Sequence, residues 1–294
     1  MSSALILFGF IRSLLNRDKI LYGNWDSKTT EAFYEHDMLI NWGELSYKRL
    51  FFNLDMHPSY YALFSTIAIL ILLFTHFIDI EKPFKRALVL LHTVMIILVS
   101  SKAGLASLFV IFILAFFFDK EMKHRLILAS VLIIIVISSL SIPSTQLRLQ
   151  RAYQSIRSNN TEILDSSSAE RIILWKSLGQ YSVSELLLGT GIQTSRSKTL
   201  LYTGIDKNLH NQFLQSLVSS GFIGLLLLIY FLMLPLFYSR GMFIHVFILV
   251  VVLNLTLENM FDRVWGVVFV SFFYALFVFG KLNFSRKKPL KIDH

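Results

Sequence analysis

Apolar stretches long enough to cross a bilayer recur along this chain, and that recurrence restricts its fold more than any other feature. A hydrocarbon layer of about 30 Å takes roughly 17–25 apolar residues as a helix, because lipid offers no partner to unpaired backbone groups. Such windows run from Pro58 to Ile78, Arg86 to Ser101, Ala103 to Phe118, His124 to Ile142, Phe213 to Tyr238, Gly241 to Leu257 and Arg263 to Gly280. With 54% of its 294 residues hydrophobic, the chain is more apolar than a soluble domain. The expected fold class is all-α, a polytopic membrane helix bundle of about seven spans with a long, partly helical outer loop.

Short cytoplasmic loops carry an excess of Lys and Arg. Lys82, Lys85 and Arg86 fall in one loop, Lys120, Lys123 and Arg125 in the next, and Lys281, Arg286, Lys287, Lys288 and Lys291 in the tail. Alternation from these places 16–57 and 143–209 outside. The expected organisation is a short N-terminal apolar segment with an outer loop over 1–57 and a first membrane block of four spans over 58–142. A periplasmic loop over 143–209, a second block of three spans over 210–280 and a basic cytoplasmic tail over 281–294 follow. Ala4 to Leu15 is too short to span comfortably and is followed by no small-residue cleavage pattern, so it reads as a surface helix or the end of a longer span rather than a signal peptide.

The chain has no cysteine, which excludes disulfides and thiolate metal sites. The net charge of +9 is partly the topology signal. The rest sits in the outer loop on Arg148, Arg151, Arg157, Arg171, Arg196, Lys198 and Lys207. A basic outer loop attracts an anionic head group or a pyrophosphate. Membrane lipids are expected partners, and nucleic acid is not.

That loop, about 65 residues long, carries signs of order. Ser167 and Glu170 fit a capping box, and Arg171 to Tyr181 continues as a helix. Arg171, Leu174, Trp175 and Leu178 share one face of it, which should pack inward with Arg171 turned toward the protein. A snorkelling arginine paired with a nearby carboxylate is the alternative. Leu188-Gly-Thr-Gly-Ile192 reads as a turn returning the chain to the membrane, since it lacks the glycine spacing of a phosphate loop.

Asn208, Asn211, Gln212, Gln215 and Ser219 then form a polar stripe at the start of a span. Amides there need a wet cavity or a helix interface, and interhelical hydrogen bonding is an equal reading. His210 lies beside the stripe, where an imidazole near neutrality can take a proton from a hydroxyl. Lys102 interrupts an apolar run at Ser100-Ser-Lys-Ala-Gly104 and is a second candidate for binding phosphate. Glu258, Asp262 and Arg263 read as a solvated charge group.

In order along the chain stand Met56-His-Pro-Ser-Tyr60, Ser101-Lys-Ala-Gly104, Arg171 to Trp175 with Gly189-Thr-Gly191, and His210-Asn-Gln-Phe-Leu-Gln215 leading to Gly221-Phe-Ile-Gly224. Together they resemble the O-antigen ligase and polymerase family of bacterial membrane glycosyltransferases, with GT-C-like architecture, over roughly Asp55 to Gly280. The resemblance implies an inner-membrane enzyme with a periplasmic active face that moves a glycan from an undecaprenyl-pyrophosphate carrier to a saccharide or lipid A core acceptor. It implies catalytic roles for Arg171, on the pyrophosphate, and for His210, on the acceptor hydroxyl. Substrate binding is expected from Lys102, Arg196, Asn211 and Gln215, with the pyrophosphate between Arg171 and Lys102. No metal or other cofactor is implied.

Two departures stand out. Lys102 occupies a position where the family carries Arg, and an ammonium lacks the planar fork that grips two phosphate oxygens. Family members also carry further N-terminal spans, so a shortened member is expected. A polysaccharide polymerase, a flippase for lipid-linked glycans and an inactive scaffold are the alternatives. The internal repeats and broken midplane helices of transporters are not evident in the sequence.

Overall fold

The computed structural model describes residues 57–75, 80–99, 101–119, 121–141, 167–238 and 241–278. The expected N-terminal segment, the outer-loop cations Arg148, Arg151 and Arg157 and the basic tail lie outside the described residues. Every regular element among those described is helical, so the all-α class holds. The helices are α1 (Pro58–Phe74), α2 (Lys82–Val99), α3 (Lys102–Phe118), α4 (Met122–Ser141), α5 (Ser167–Lys176), α6 (Val183–Leu188), α7 (Ile192–Thr203), α8 (Gln212–Tyr238), α9 (Met242–Leu257) and α10 (Val264–Val278). Short 3-10 turns at Ser177–Gln180 and Met260–Asp262 follow α5 and α9.

Among the described residues one helix, α8 with 27 residues, is long and apolar enough to cross a membrane, while α1, α3, α9 and much of α10 are apolar but shorter. The expectation of seven spans thus meets one full-length helix and four shorter apolar ones.

The chain divides into two compact units, one from Met1–Ile69 with Pro83–Arg148 and one from Leu70–Lys82 with Leu149–His294. In the first, Ser101 caps α3 by accepting from the Gly104 amide at 3.3 Å, and its hydroxyl donates to Ser59 on α1 at 3.4 Å. Both serines are buried. Sharing their hydroxyls lowers the cost of burying them and ties the start of α3 to the start of α1.

In the second unit, the outer-loop helices fold against α8. Leu174 of α5, Tyr181, Leu209 and Val218 of α8 form a buried core, with Trp175, Leu178, Leu186, Tyr202, Ile205 and Leu214 packed around it. The predicted helix from Arg171 to Tyr181 stops being α-helical at Lys176 and closes as a 3-10 turn, in which the Tyr181 amide donates to Leu178. Ser167, expected to cap, is already the first residue of α5. The capping box that forms is Ser182 with Glu185 at the start of α6.

The second unit is organised by a break in α8. Gly221 has φ 72° and ψ −174°, non-helical values in the middle of an otherwise continuous helix. The break leaves the carbonyls of Val218 and Ser219 open to other donors, and they accept from the amides of Thr190 and Gly191, each at 2.9 Å. The Leu188-Gly-Thr-Gly-Ile192 turn is therefore docked backbone to backbone on α8. The break is possible because a glycine can adopt an extended left-handed conformation inside a helical run.

Gly189, at φ 81°, makes the reciprocal approach. A methyl group there would lie 2.6 Å from the Gly221 amide nitrogen and 2.7 Å from the Ser219 carbonyl oxygen. Gly189→Ala and Gly221→Ala should each lower stability by about 1–3 kcal/mol from backbone strain alone, and by more once the collision is added. Thermal melting of detergent-solubilised protein checks this. Gly179→Ala, where nothing stands within 4 Å, should melt close to wild type.

Candidate functional site

Arg171 and His210 meet on one carboxylate. The Arg171 Nη2 donates to Glu258 Oε1 at 2.8 Å, and His210 Nδ1 lies 3.2 Å from Glu258 Oε2. Arg171 comes from the first turns of α5, His210 from the residues before α8 and Glu258 from the C-cap of α9. Their side chains are 13%, 29% and 20% exposed respectively, so the group is part-buried but reachable.

Local structure sets each position. The Trp175 indole N–H donates to the Leu209 carbonyl at 2.8 Å, which pins α5 to the residue before His210. Trp175 lies four residues after Arg171, so the same helix face carries both the tie and the guanidinium. His210 itself has φ 48°, a left-handed conformation uncommon outside glycine, asparagine and histidine. Its backbone N–H is held by the Asn208 side chain at 3.3 Å. Glu258 is extended at the end of α9, with its amide still donating to Asn254 at 2.9 Å.

The polar stripe mostly assembles this frame. Asn211 caps α8, its Oδ1 accepting from the amides of Phe213 and Leu214 at 3.0 and 3.1 Å. Gln215 accepts from the Leu209 amide and from Asn259, both at 3.2 Å, and donates to Ser195 on α7 at 3.3 Å. Gln212 accepts from the Phe261 amide at 2.9 Å, and Asn208 donates to Asp262 at 2.9 Å. The stripe thus bonds α7, α8 and the 3-10 turn after α9 to one another, the interhelical role weighed from sequence.

The described outer loop is less bare of counter-charge than its composition suggests. Arg171 pairs with Glu258, Arg196 with Asp206, Lys198 with Glu185 and Lys207 with Glu170. Arg196 lies on α7 and faces Asp206 across the left-handed turn at Gly204. Lys102 opens α3 in the first unit, with an exposed side chain. Arg171, His210, Asn211 and Gln215 are therefore gathered within the second unit, and Arg196 sits further along α7 in an ion pair of its own. Among the described residues no group of three or more potential metal ligands is present.

Sequence reasoning missed Glu258. It was grouped with Asp262 and Arg263 as solvated charge, yet Asp262 is exposed and Glu258 is not. A carboxylate directly ending an apolar helix was the available signal, since such a group is costly there without a cation. Two buried polar atoms, Nε of Arg171, the ion-pair partner of Glu258, and Oδ1 of the next residue, Asn259, have no hydrogen-bond partner among the described residues.

Glu258→Gln should destabilise the folded protein by about 1–3 kcal/mol, because it leaves the Arg171 charge part-buried without its counter-ion. Adding Arg171→Met should recover part of that loss, and a double-mutant cycle on thermal or denaturant unfolding reads the coupling. The Arg196–Asp206 pair gives a pH prediction. Its hydrogen bond from Arg196 holds the Asp206 carboxyl below its ordinary 3.8. The contribution is therefore present above that ordinary value and lost as pH falls through the lower folded value. The melting difference between wild type and Asp206→Asn should be visible at neutral pH, close on acidification below 3.8, and shrink in high salt because the pair is exposed.

Residues 87–229 match the family model described as O-antigen ligase. The stretch starts in α2 and ends within α8, taking in Lys102, Arg171, Arg196, His210, Asn211, Gln215 and both docked glycines, and it stops short of Glu258. No curated protein and no solved structure matches the chain. The match agrees with the resemblance read from the sequence, and with it come a membrane setting and a part in polysaccharide assembly. Over residues 87–229, just under half of the chain, the protein is similar to the O-antigen ligase family.

Proposed function

We propose that this protein transfers a glycan from an undecaprenyl-pyrophosphate carrier to a saccharide acceptor, at the periplasmic side of the bacterial inner membrane. The observation that supports it most is the convergence of Arg171 and His210 on Glu258, at 2.8 and 3.2 Å. One group is suited to a leaving pyrophosphate and the other to an attacking hydroxyl, and a single carboxylate fixes the distance between them.

In the proposed reaction the acceptor oxygen forms a bond to the anomeric carbon of the donor sugar while the bond from that carbon to the pyrophosphate oxygen breaks. The electron pair leaves with undecaprenyl pyrophosphate, and the hydroxyl proton passes to His210. Glu258 as acceptor favours a proton on Nδ1, an assignment from the hydrogen-bond geometry, which leaves Nε2 to receive the acceptor proton. This is the orientation logic by which a buried carboxylate serves a catalytic histidine. The buried Nε of Arg171 has no hydrogen-bond partner among the described residues, and an anionic phosphate oxygen brought against it would satisfy that donor. A cation there also stabilises charge as it develops on the leaving group.

Glu258 is a positioning residue in this scheme. Asn211 and Gln215 act by holding the segment that carries His210. Substrate contacts by Lys102 and Arg196 rest on the sequence resemblance, and for Arg196 they require exchange of Asp206 for an anionic ligand.

Purified protein supplied with undecaprenyl-pyrophosphate glycan and an acceptor provides the test. His210→Asn, chosen because asparagine tolerates the left-handed backbone, should lower kcat by about 10²–10⁴. Arg171→Met should chiefly raise the KM for the donor. Transfer by His210→Asn at the wild-type rate would rule out the base role. Lipid A core as acceptor against a second lipid-linked repeat separates ligase from polymerase by the product formed.

A further inference from the structure

The outer loop carries an apolar edge that plays no part in the site. Val183, Leu187, Leu188 and Ile192 are 74%, 52%, 80% and 79% exposed. An aqueous loop rarely leaves four large aliphatic side chains so open within ten residues. Val183 and Leu187 lie one turn apart on α6, and Leu188 and Ile192 flank the docked glycine turn. Leu186 packs instead into the core of the unit, so the exposed edge is the side of α6 that turns away from it.

Two contacts fix the level at which this edge stands. Gln212, at the start of α8, bonds to Phe261 just before α10. Further along, the Tyr274 hydroxyl donates to the Phe231 carbonyl at 2.7 Å, and the two rings stack with centroids 4.1 Å apart. The helices therefore run in the same direction. Phe231 lies ten residues past Gly221 and Tyr274 ten residues past Val264, which is about 15 Å along each axis. Gly221 is consequently level with the first residue of α10, where the apolar run begins after Asp262 and Arg263.

On α8, Gly221 is also the boundary between two surfaces. Before it come Gln212, Gln215 and Ser219, and directly after it Phe222, Ile223, Leu226 and Leu227 are apolar and exposed. Leu187 and Leu188 lie against Gly221 itself. The apolar edge of the loop is thus continuous with the apolar exposed surface of α8, at the level where polar residues give way to hydrocarbon-compatible ones.

We propose that the α6–α7 elbow is a membrane-inserting edge, with Val183, Leu187, Leu188 and Ile192 set among lipid acyl chains just below the head groups. The loop is then seated in the leaflet rather than suspended over it, and its glycine turn marks the interface. Exposed Ser182, Ser184, Gln193 and Thr194 around the edge supply hydroxyls and amides suited to head-group contact. The inference concerns the bilayer alone and stands whether or not the site transfers glycan.

Because the chain has no cysteine, single substitutions can be spin-labelled without background. Val183→Cys, Leu188→Cys and Ile192→Cys would be labelled in the full chain, in nanodiscs of phosphatidylethanolamine and phosphatidylglycerol. Collision with oxygen and with a water-soluble nickel chelate is then read by power saturation. Ile223→Cys serves as the lipid reference and Ser197→Cys as the aqueous one. The elbow labels should resemble Ile223, with oxygen favoured over nickel by several-fold, and differ from Ser197. Nickel access equal to that at Ser197 would place the elbow in water and overturn the proposal. Low access to both reagents would overturn it too, by showing a protein surface over the edge, whether from another part of the chain or a second copy.

Discussion

The second unit depends on a backbone contact between two glycines. Where α8 breaks at Gly221, two of its carbonyls turn to the amides of Thr190 and Gly191, and Gly189 fits against the gap. This seats the loop helices on α8, and the core of Leu174, Tyr181, Leu209 and Val218 closes around them. Only with that core formed does Trp175 reach the carbonyl before His210, which brings Arg171 over the imidazole. The meeting of Arg171, His210 and Glu258 is thus held by a steric condition, the absence of two methyl groups.

Charge is arranged with similar economy. A part-buried guanidinium, a part-buried imidazole and a carboxylate at a helix end would each be costly separately, and together they satisfy one another. Among the described residues the arrangement leaves the guanidinium Nε without a partner and one imidazole nitrogen turned from Glu258. Those are the two atoms that an anionic leaving group and an attacking hydroxyl would require. The surrounding amides bond within the protein and hold the segment that carries His210.

Much of the architecture was legible along the chain. Among the described residues, apolar windows located every long helix to within a few residues, because hydrophobic length is a local property. The inward face of α5 followed from i, i+3, i+4 spacing, and Leu174, Trp175 and Leu178 do pack into the core. The polar stripe after Asn208 was also visible, since amides at the start of an apolar helix stand out whatever they bond to. Less was readable where two distant segments meet. The α5 helix ended early because Leu178 accepts from Tyr181 in a 3-10 turn, and the working capping box lay at Ser182 rather than Ser167.

The sequence alone determined that this is an all-helical, strongly apolar chain with a polar segment at the head of α8 and a histidine and an arginine as its candidate chemistry. These follow from composition and periodicity, which each segment carries by itself. Only the tertiary structure decided that Glu258 joins those two residues, that Arg196, Lys198 and Lys207 are each paired with a loop carboxylate, and that α8 breaks where the glycine turn docks. Each of those outcomes turns on groups ten to eighty-seven residues apart or on a backbone angle that several conformations of glycine would allow, and no local pattern encodes which partner arrives.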